Sequence, residues 1–140
     1  MTRGERALIS LTKASCRVVI PSIAAFMAIV PAILGQNAAF RGAPSSSAQM
    51  KNPYSGDAQA AAGGRKLFAQ NCAQCHGNNL QGIGPAPALT TTSVKSASSG
   101  ELFWFITNGD LNKGMPSWSQ LPKQQRWQIV TFLESKNGAK

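Results

Sequence analysis

Histidine occurs once in this 140-residue sequence and cysteine three times. Few combinations of residues are therefore able to hold a metal ion. Charge is scarce as well. Only 14% of residues are Asp, Glu, Lys or Arg, low for a soluble globular protein. The formal net charge is +9, yet there is no run of Lys or Arg. A scattered excess of this kind is not a nucleic-acid-binding tail, so no nucleic-acid partner is expected. No segment alternates with a period of two, which removes the usual signal for strands. The chain is long enough for one domain and not two. That excludes a nucleotide-binding domain joined to a separate substrate domain. The hydrophobic content of 43%, with no collagen or heptad period, excludes fibrous and disordered classes.

The charge that is present is unevenly placed. Arg3, Arg6, Lys13 and Arg17 precede an uncharged stretch that lasts until Arg41. Within it, Val18 to Leu34 is apolar apart from Pro21, Ser22 and Pro31. A basic start followed by an apolar run is an export signal. The run is slightly short of the about 20 residues of a comfortable membrane span. Two outcomes stay open for residues 1–39: a signal peptide removed near Ala39, or a retained membrane anchor. A buried core helix is disfavoured by the two prolines. Cys16 lies before the apolar run, so it is no lipidation site and belongs to the targeting segment. Residues 40–56 are rich in Ser, Gly, Pro and Ala and read as a linker. The working domain is expected over residues 57–138, in the periplasm. A domain this small needs a staple.

That domain holds two cysteines and the lone histidine in one pentapeptide, Cys72-Ala73-Gln74-Cys75-His76. A disulfide across C-x-x-C closes a loop too short to stabilise much. A thioredoxin-like redox motif needs a βαβ context, and the flanking segments read helical. A structural zinc site needs four ligands, and no second cluster exists. Covalent haem attachment, whose signature is C-x-x-C-H, uses all three residues. The two thiols stand about one helical turn apart, so both reach one edge of the ring and add to its vinyl groups. His76 then lies under the iron as the proximal ligand.

The other face of the iron needs a partner or stays open. Met115 is the only methionine after the motif, and it sits in a Gly/Pro loop, Gly114-Met115-Pro116. A methionine filling a core gap would more often sit at helical spacing. Met115 is therefore expected to be the distal ligand. Two protein ligands leave no place on the iron for substrate, and methionine raises the reduction potential. Such a site suits outer-sphere electron transfer.

Asp57 is placed to cap a helix running to about Gln70. Gly63 and Gly64 inside it each cost about 1 kcal/mol against Ala, which a close approach by another helix would justify. Ser98-Ser99-Gly100-Glu101 has capping-box spacing. Leu102, Phe105 and Ile106 follow on one face, and Asn108-Gly109 ends that helix. A last helix runs from about Pro122 to Ser135 with Ile129, Val130 and Leu133 on one face. Trp104, Trp118 and Trp127 are expected to pack around the haem or between helices. An indole N–H donated to a haem propionate is a further expectation for Trp118.

These residues resemble the class I c-type cytochromes, the small bacterial monohaem kind, over about residues 57–138. Besides the haem motif, Gly64 and Phe68 stand eight and four residues before Cys72, as that family's helix-crossing glycine and aromatic do. Gly84-Pro85 resembles its proline loop, and Gly114-Met115-Pro116 its distal ligand loop. Arg126 to Leu133 is similar to its C-terminal helix. Leu121-Pro122 departs from the polar cap with which the family often begins that helix. The resemblance implies an all-α cytochrome c-like fold, with three main helices and loops around one haem c. It also implies that the Pro85 carbonyl accepts the His76 Nδ1 proton. The expected function is single-electron transport between a donor dehydrogenase and an acceptor oxidase or cytochrome. The alternative is a haem-bearing subunit of a dehydrogenase complex, for example one with a quinoprotein. Lys113 is the candidate for steering an acidic partner, with Lys95, Lys123 and Arg126 as neighbours on the same side.

Overall fold

The computed structural model describes residues 42–138. The expectations for residues 1–39, including Cys16, lie outside the described residues. Among those described, helices and short 3-10 turns carry the chain and no strand forms. The one approach to β structure there is an isolated antiparallel bridge between Asp110 and Met115. The architecture is the all-α one expected. No helix among the described residues is long and apolar enough to cross a membrane.

Helix α1 spans Ala58–Asn71. Asp57 caps it, its Oδ1 accepting from Gln59 N at 2.8 Å and Ala60 N at 3.0 Å. The short α2, Ala73–His76, follows directly, with Cys72 as the joint between the two. A second short helix, α3, covers Thr92–Ser96. Helix α4 spans Ser99–Asn108 and has the full capping box: Glu101 N donates to Ser98 Oγ, and Ser98 N donates to Glu101 Oε2. It stops at Gly109, whose φ of +71° takes the chain where a side chain is disfavoured. Helix α5 spans Lys123–Asn137, with Pro122 at its N-cap and no side-chain cap. The three longer helices, α1, α4 and α5, are the three main helices expected.

The core forms where α1 and α4 meet α5. Phe68, Ile129 and Val130 are its most enclosed side chains. Burying a residue such as Phe68 contributes about 2–3 kcal/mol. The Phe68 and Phe132 rings lie 5.4 Å apart at 50°, joining α1 to α5. Phe103 stacks on Trp127 at 4.1 Å and 17°, joining α4 to α5. On α4, Leu102, Phe103 and Ile106 are buried, whereas Phe105 is half-buried beside Trp104. Phe103 thus takes the place expected of Phe105 on the buried face, which keeps Leu102 and Ile106 as read in the sequence. Gly64 is the crossing point of α1 and α5, because a Cβ there would overlap the Gln128 carbonyl oxygen.

Residues 42–56 behave differently from the expected linker. A 3-10 turn, Ser45–Gln49, lies against α4, and Ala43, Ser47 and Asn52 are buried. Gly100 permits the contact, since a Cβ there would overlap the Ser47 carbonyl oxygen. Asn52 Nδ2 donates to Thr131 Oγ1 and to Glu134 Oε2, both at 2.9 Å. Ser99 Oγ donates to the other Glu134 oxygen at 2.5 Å. This strap, α4 and α5 are therefore tied by one polar network.

Candidate functional site

The sequence Cys72-Ala73-Gln74-Cys75-His76 forms a corner. Cys72 ends α1, and its carbonyl accepts from Cys75 N at 3.2 Å and His76 N at 2.9 Å. Both thiols are free, Cys72 half-buried and Cys75 exposed. Burial, and secondarily the neighbouring Cys75, push the Cys72 thiol up to about 11. The turn that follows folds back over the end of α2. Gly82 N donates to His76 O and Ile83 N to Cys75 O, both at 2.9 Å, so carbonyls left open by the helix end are satisfied. Leu80 holds this turn in place. It adopts a φ of +64°, unusual for a residue with a branched side chain, and is buried in the core.

His76 Nδ1 lies 3.0 Å from the Pro87 carbonyl oxygen. A carbonyl only accepts, so Nδ1 carries a proton, and in the neutral ring the lone pair is then on Nε2. This corrects the assignment of Pro85: the acceptor lies two residues further along the same loop. Both prolines are in one loop, and its folded path presents the later carbonyl to the ring. Asn137 Nδ2 donates to Leu89 O at 3.1 Å, fixing the far end of that loop to α5.

Met115 sits on a second constrained loop. A 3-10 turn, Leu111–Lys113, leads into Gly114, which adopts the left-handed conformation. Asp110 N then donates to Met115 O at 2.9 Å, and Met115 N to Asp110 O at 3.0 Å. Gly109 lets the two sides of the loop close, because a Cβ there would press on the Met115 and Pro116 backbone. Met115 is half-buried at the base of this loop. The chain then returns to α4: Ser117 Oγ donates to Thr107 O at 2.7 Å and Trp118 N to Ile106 O at 3.0 Å. Cys72 and Trp118 both pack against the same apolar core. Trp127 is buried and Trp104 half-buried, in line with packing roles.

The donor set fits a covalently attached haem. It comprises two free thiols at i and i+3, an imidazole with a fixed lone pair, and one thioether on a rigid loop. A zinc reading has no comparable support, since no group of three or more His, Cys, Asp and Glu gathers among the described residues. The proposed docking residue Lys113 is exposed, but its Nζ pairs with Asp110 at 3.1 Å. Its charge is therefore locally balanced. Arg126, grouped with the solvated lysines in the sequence, is instead half-buried and bonded to Thr107 Oγ1 at 2.6 Å.

Residues 59–133, over half of the chain, match the family model described as cytochrome c oxidase, cbb3-type, subunit III. The chain belongs to this family of c-type cytochromes. As a c-type cytochrome electron-transfer domain, it takes covalently bound haem c, and its size suits one haem. A Cbb3-type cytochrome c oxidase subunit CcoP from Azospirillum brasilense is 37% identical over 76 residues. That match covers 49% of this chain and 25% of the relative, so the chain spans a quarter of the protein it resembles. Among solved structures, Cytochrome CL from Methylophaga aminisulfidivorans MPT is 30% identical with a TM-score of 0.53. The shared part is 61% of this chain and 58% of that one. A c-type cytochrome NirC, also 30% identical, has a TM-score of 0.47 over 60% of this chain and 99% of its own.

Proposed function

We propose that this cytochrome is an exported single-electron carrier with haem c attached through Cys72 and Cys75 and ligated by His76 and Met115. The observation that carries this reading is the His76 Nδ1 hydrogen bond to the Pro87 carbonyl at 3.0 Å. It frees Nε2 for iron, orients the ring and makes the ligand more basic. When bound, haem c supplies one iron that accepts and releases a single electron. The chain's residues do the rest. Cys72 and Cys75 fix one edge of the ring, and the bridged loop holds the Met115 thioether. His76 and Met115 would together hold the iron and leave no place on it for substrate, which suits a carrier and not an enzyme. Its partners are a donor dehydrogenase and an acceptor oxidase or cytochrome. The basic and apolar run in residues 1–39 supports placement in the periplasm, free or anchored.

A second reading, a haem-bearing subunit held in a larger redox complex, is favoured by the name of the CcoP relative. Purification from the native membrane separates the two: a carrier emerges alone, and a subunit emerges with partners. The ligand assignment is tested with Met115→Ala. Loss of the iron–sulfur charge-transfer absorption and a lower reduction potential are expected. Persistence of both would mean that another group ligates the distal face.

A further inference from the structure

Each of the three main helices ends on an asparagine. Asn71 Nδ2 donates to Leu67 O at 2.8 Å, Asn108 Nδ2 to Trp104 O at 2.8 Å and Asn137 Nδ2 to Leu133 O at 3.0 Å. Each of these is a local bond, one turn back along the same helix. Asn137 also bonds outside its helix, to Leu89 O at 3.1 Å. Its Nδ2 thus gives both hydrogens to carbonyls, while its Oδ1 is buried and meets no donor. An open buried acceptor is costly and rare in native proteins. Turning the amide over would set that oxygen against two carbonyl oxygens, so the two acceptors dictate its orientation. The side chain sustains the cost of the open Oδ1 and keeps its hold on Leu89.

What Leu89 closes is the neck of the loop that carries Pro87. Leu89 N donates to Leu80 O at 2.8 Å, which joins the two ends of residues 80–89. Leu80 is the core-anchored residue at φ +64°, and its N–H donates to Gly77 O at 3.1 Å. Between these ends the loop meets the haem motif through Gly82 N on His76 O, Ile83 N on Cys75 O and Pro87 O at His76 Nδ1. Pro85 and Pro87 have no N–H to bond, so the neck is what steadies the Pro87 carbonyl. We propose that Asn137 is a positioning residue for His76: its grip on Leu89 holds the Pro87 carbonyl against Nδ1 and so sets the basicity of the proximal ligand. This role rests on the haem reading above. A firm bond at Nδ1–H makes the imidazole a more basic ligand, which favours ferric iron. Release of the neck weakens that bond and raises the reduction potential.

The test is a spectroelectrochemical titration of the haem-loaded protein and two variants. Asn137→Ser separates the two bonds, because a serine hydroxyl reaches back to Leu133 O but not across to Leu89. It should favour the reduced state by about threefold in the one-electron equilibrium, equivalent to about 28 mV. Asn137→Ala loses both bonds and should match it. A helix-ending role alone would lower thermal stability without moving the potential. The proposal is overturned if Asn137→Ser stays within about 1.5-fold of the parent, or if Asn137→Ala shifts the potential and Asn137→Ser does not. Hydrogen exchange reads the same coupling in the parent protein, apart from variant maturation. The Asn137 Nδ2 hydrogens, the Leu89 N–H and the His76 Nδ1–H should share one protection factor within about threefold, as groups of one opening unit do. In Asn137→Ser, protection of Leu89 and His76 should fall together by about tenfold. An unprotected Asn137 amide in the parent overturns the proposal. Absence of covalent haem from the parent removes both the haem reading and this one. An intact haem with an unmoved potential in Asn137→Ser removes this one alone.

Discussion

Gly63 and Gly64 are neighbours in α1, and substitution to alanine should move stability in opposite directions. At Gly63 a new Cβ would lie 3.4 Å from the Gln128 side-chain amide, which is free to give. The helix gains from the better intrinsic propensity of alanine, so Gly63→Ala should be neutral or stabilising by up to about 1 kcal/mol. At Gly64 a Cβ would overlap the Gln128 carbonyl oxygen and lie 2.5 Å from the carbonyl carbon. Backbone cannot swing aside as a side chain does. The residues that follow, Ile129 and Val130, are 1% and 0% exposed and anchor that part of α5. The helices must part, which opens the Phe68–Phe132 contact. Overpacking of this kind, less the propensity gain, gives a net loss of about 2–4 kcal/mol. For a domain this small, that is a fall in Tm of at least about 8 °C. Thermal unfolding of the haem-loaded variants, followed by far-ultraviolet circular dichroism, measures both. Equal stabilities for Gly63→Ala and Gly64→Ala would refute Gly64 as the crossing point.

Three further outcomes follow from the site and the strap. In chain without attached haem, iodoacetamide at pH 8 should modify exposed Cys75 well before Cys72. With Cys72 pushed up to about 11, its thiolate is about a hundredfold scarcer than that of a thiol near 9, and equal rates would contradict its burial. The folded value lies above the ordinary one, so the haem-free fold should lose stability as pH rises from about 9 to about 11; a flat profile by denaturant titration would contradict the same burial. Asn52→Ala should destabilise the protein by about 1–3 kcal/mol, because Thr131 and Glu134 both lose a donor. A linker-like strap would show no loss in guanidinium unfolding.

The helices were legible because their signals are local. Asp57, the Ser98–Glu101 box and the Asn108-Gly109 end all lie within a turn of the boundary they set. The haem motif is local for the same reason, since attachment demands fixed spacing. The strap was hidden because it docks through small and polar groups. Ala43, Ser47 and Asn52 carry no apolar period, and the one available clue was Gly100 inside a helix. Pro87 was missed for Pro85 because two nearby prolines offer equivalent carbonyls, and only the loop's path chooses between them. Arg126 looked like another surface cation. Its burial depends on Thr107 and Phe103, 19 and 23 positions away, which no local pattern reports.

On the proposed ligand set, Met115 would close the iron and leave a carrier of electrons, not a binder of small ligands. Adding carbon monoxide to the reduced parent protein and recording its absorption spectrum tests this most directly. No change is predicted on mixing, and a prompt shift is predicted for Met115→Ala. A prompt shift in the parent would contradict the claim.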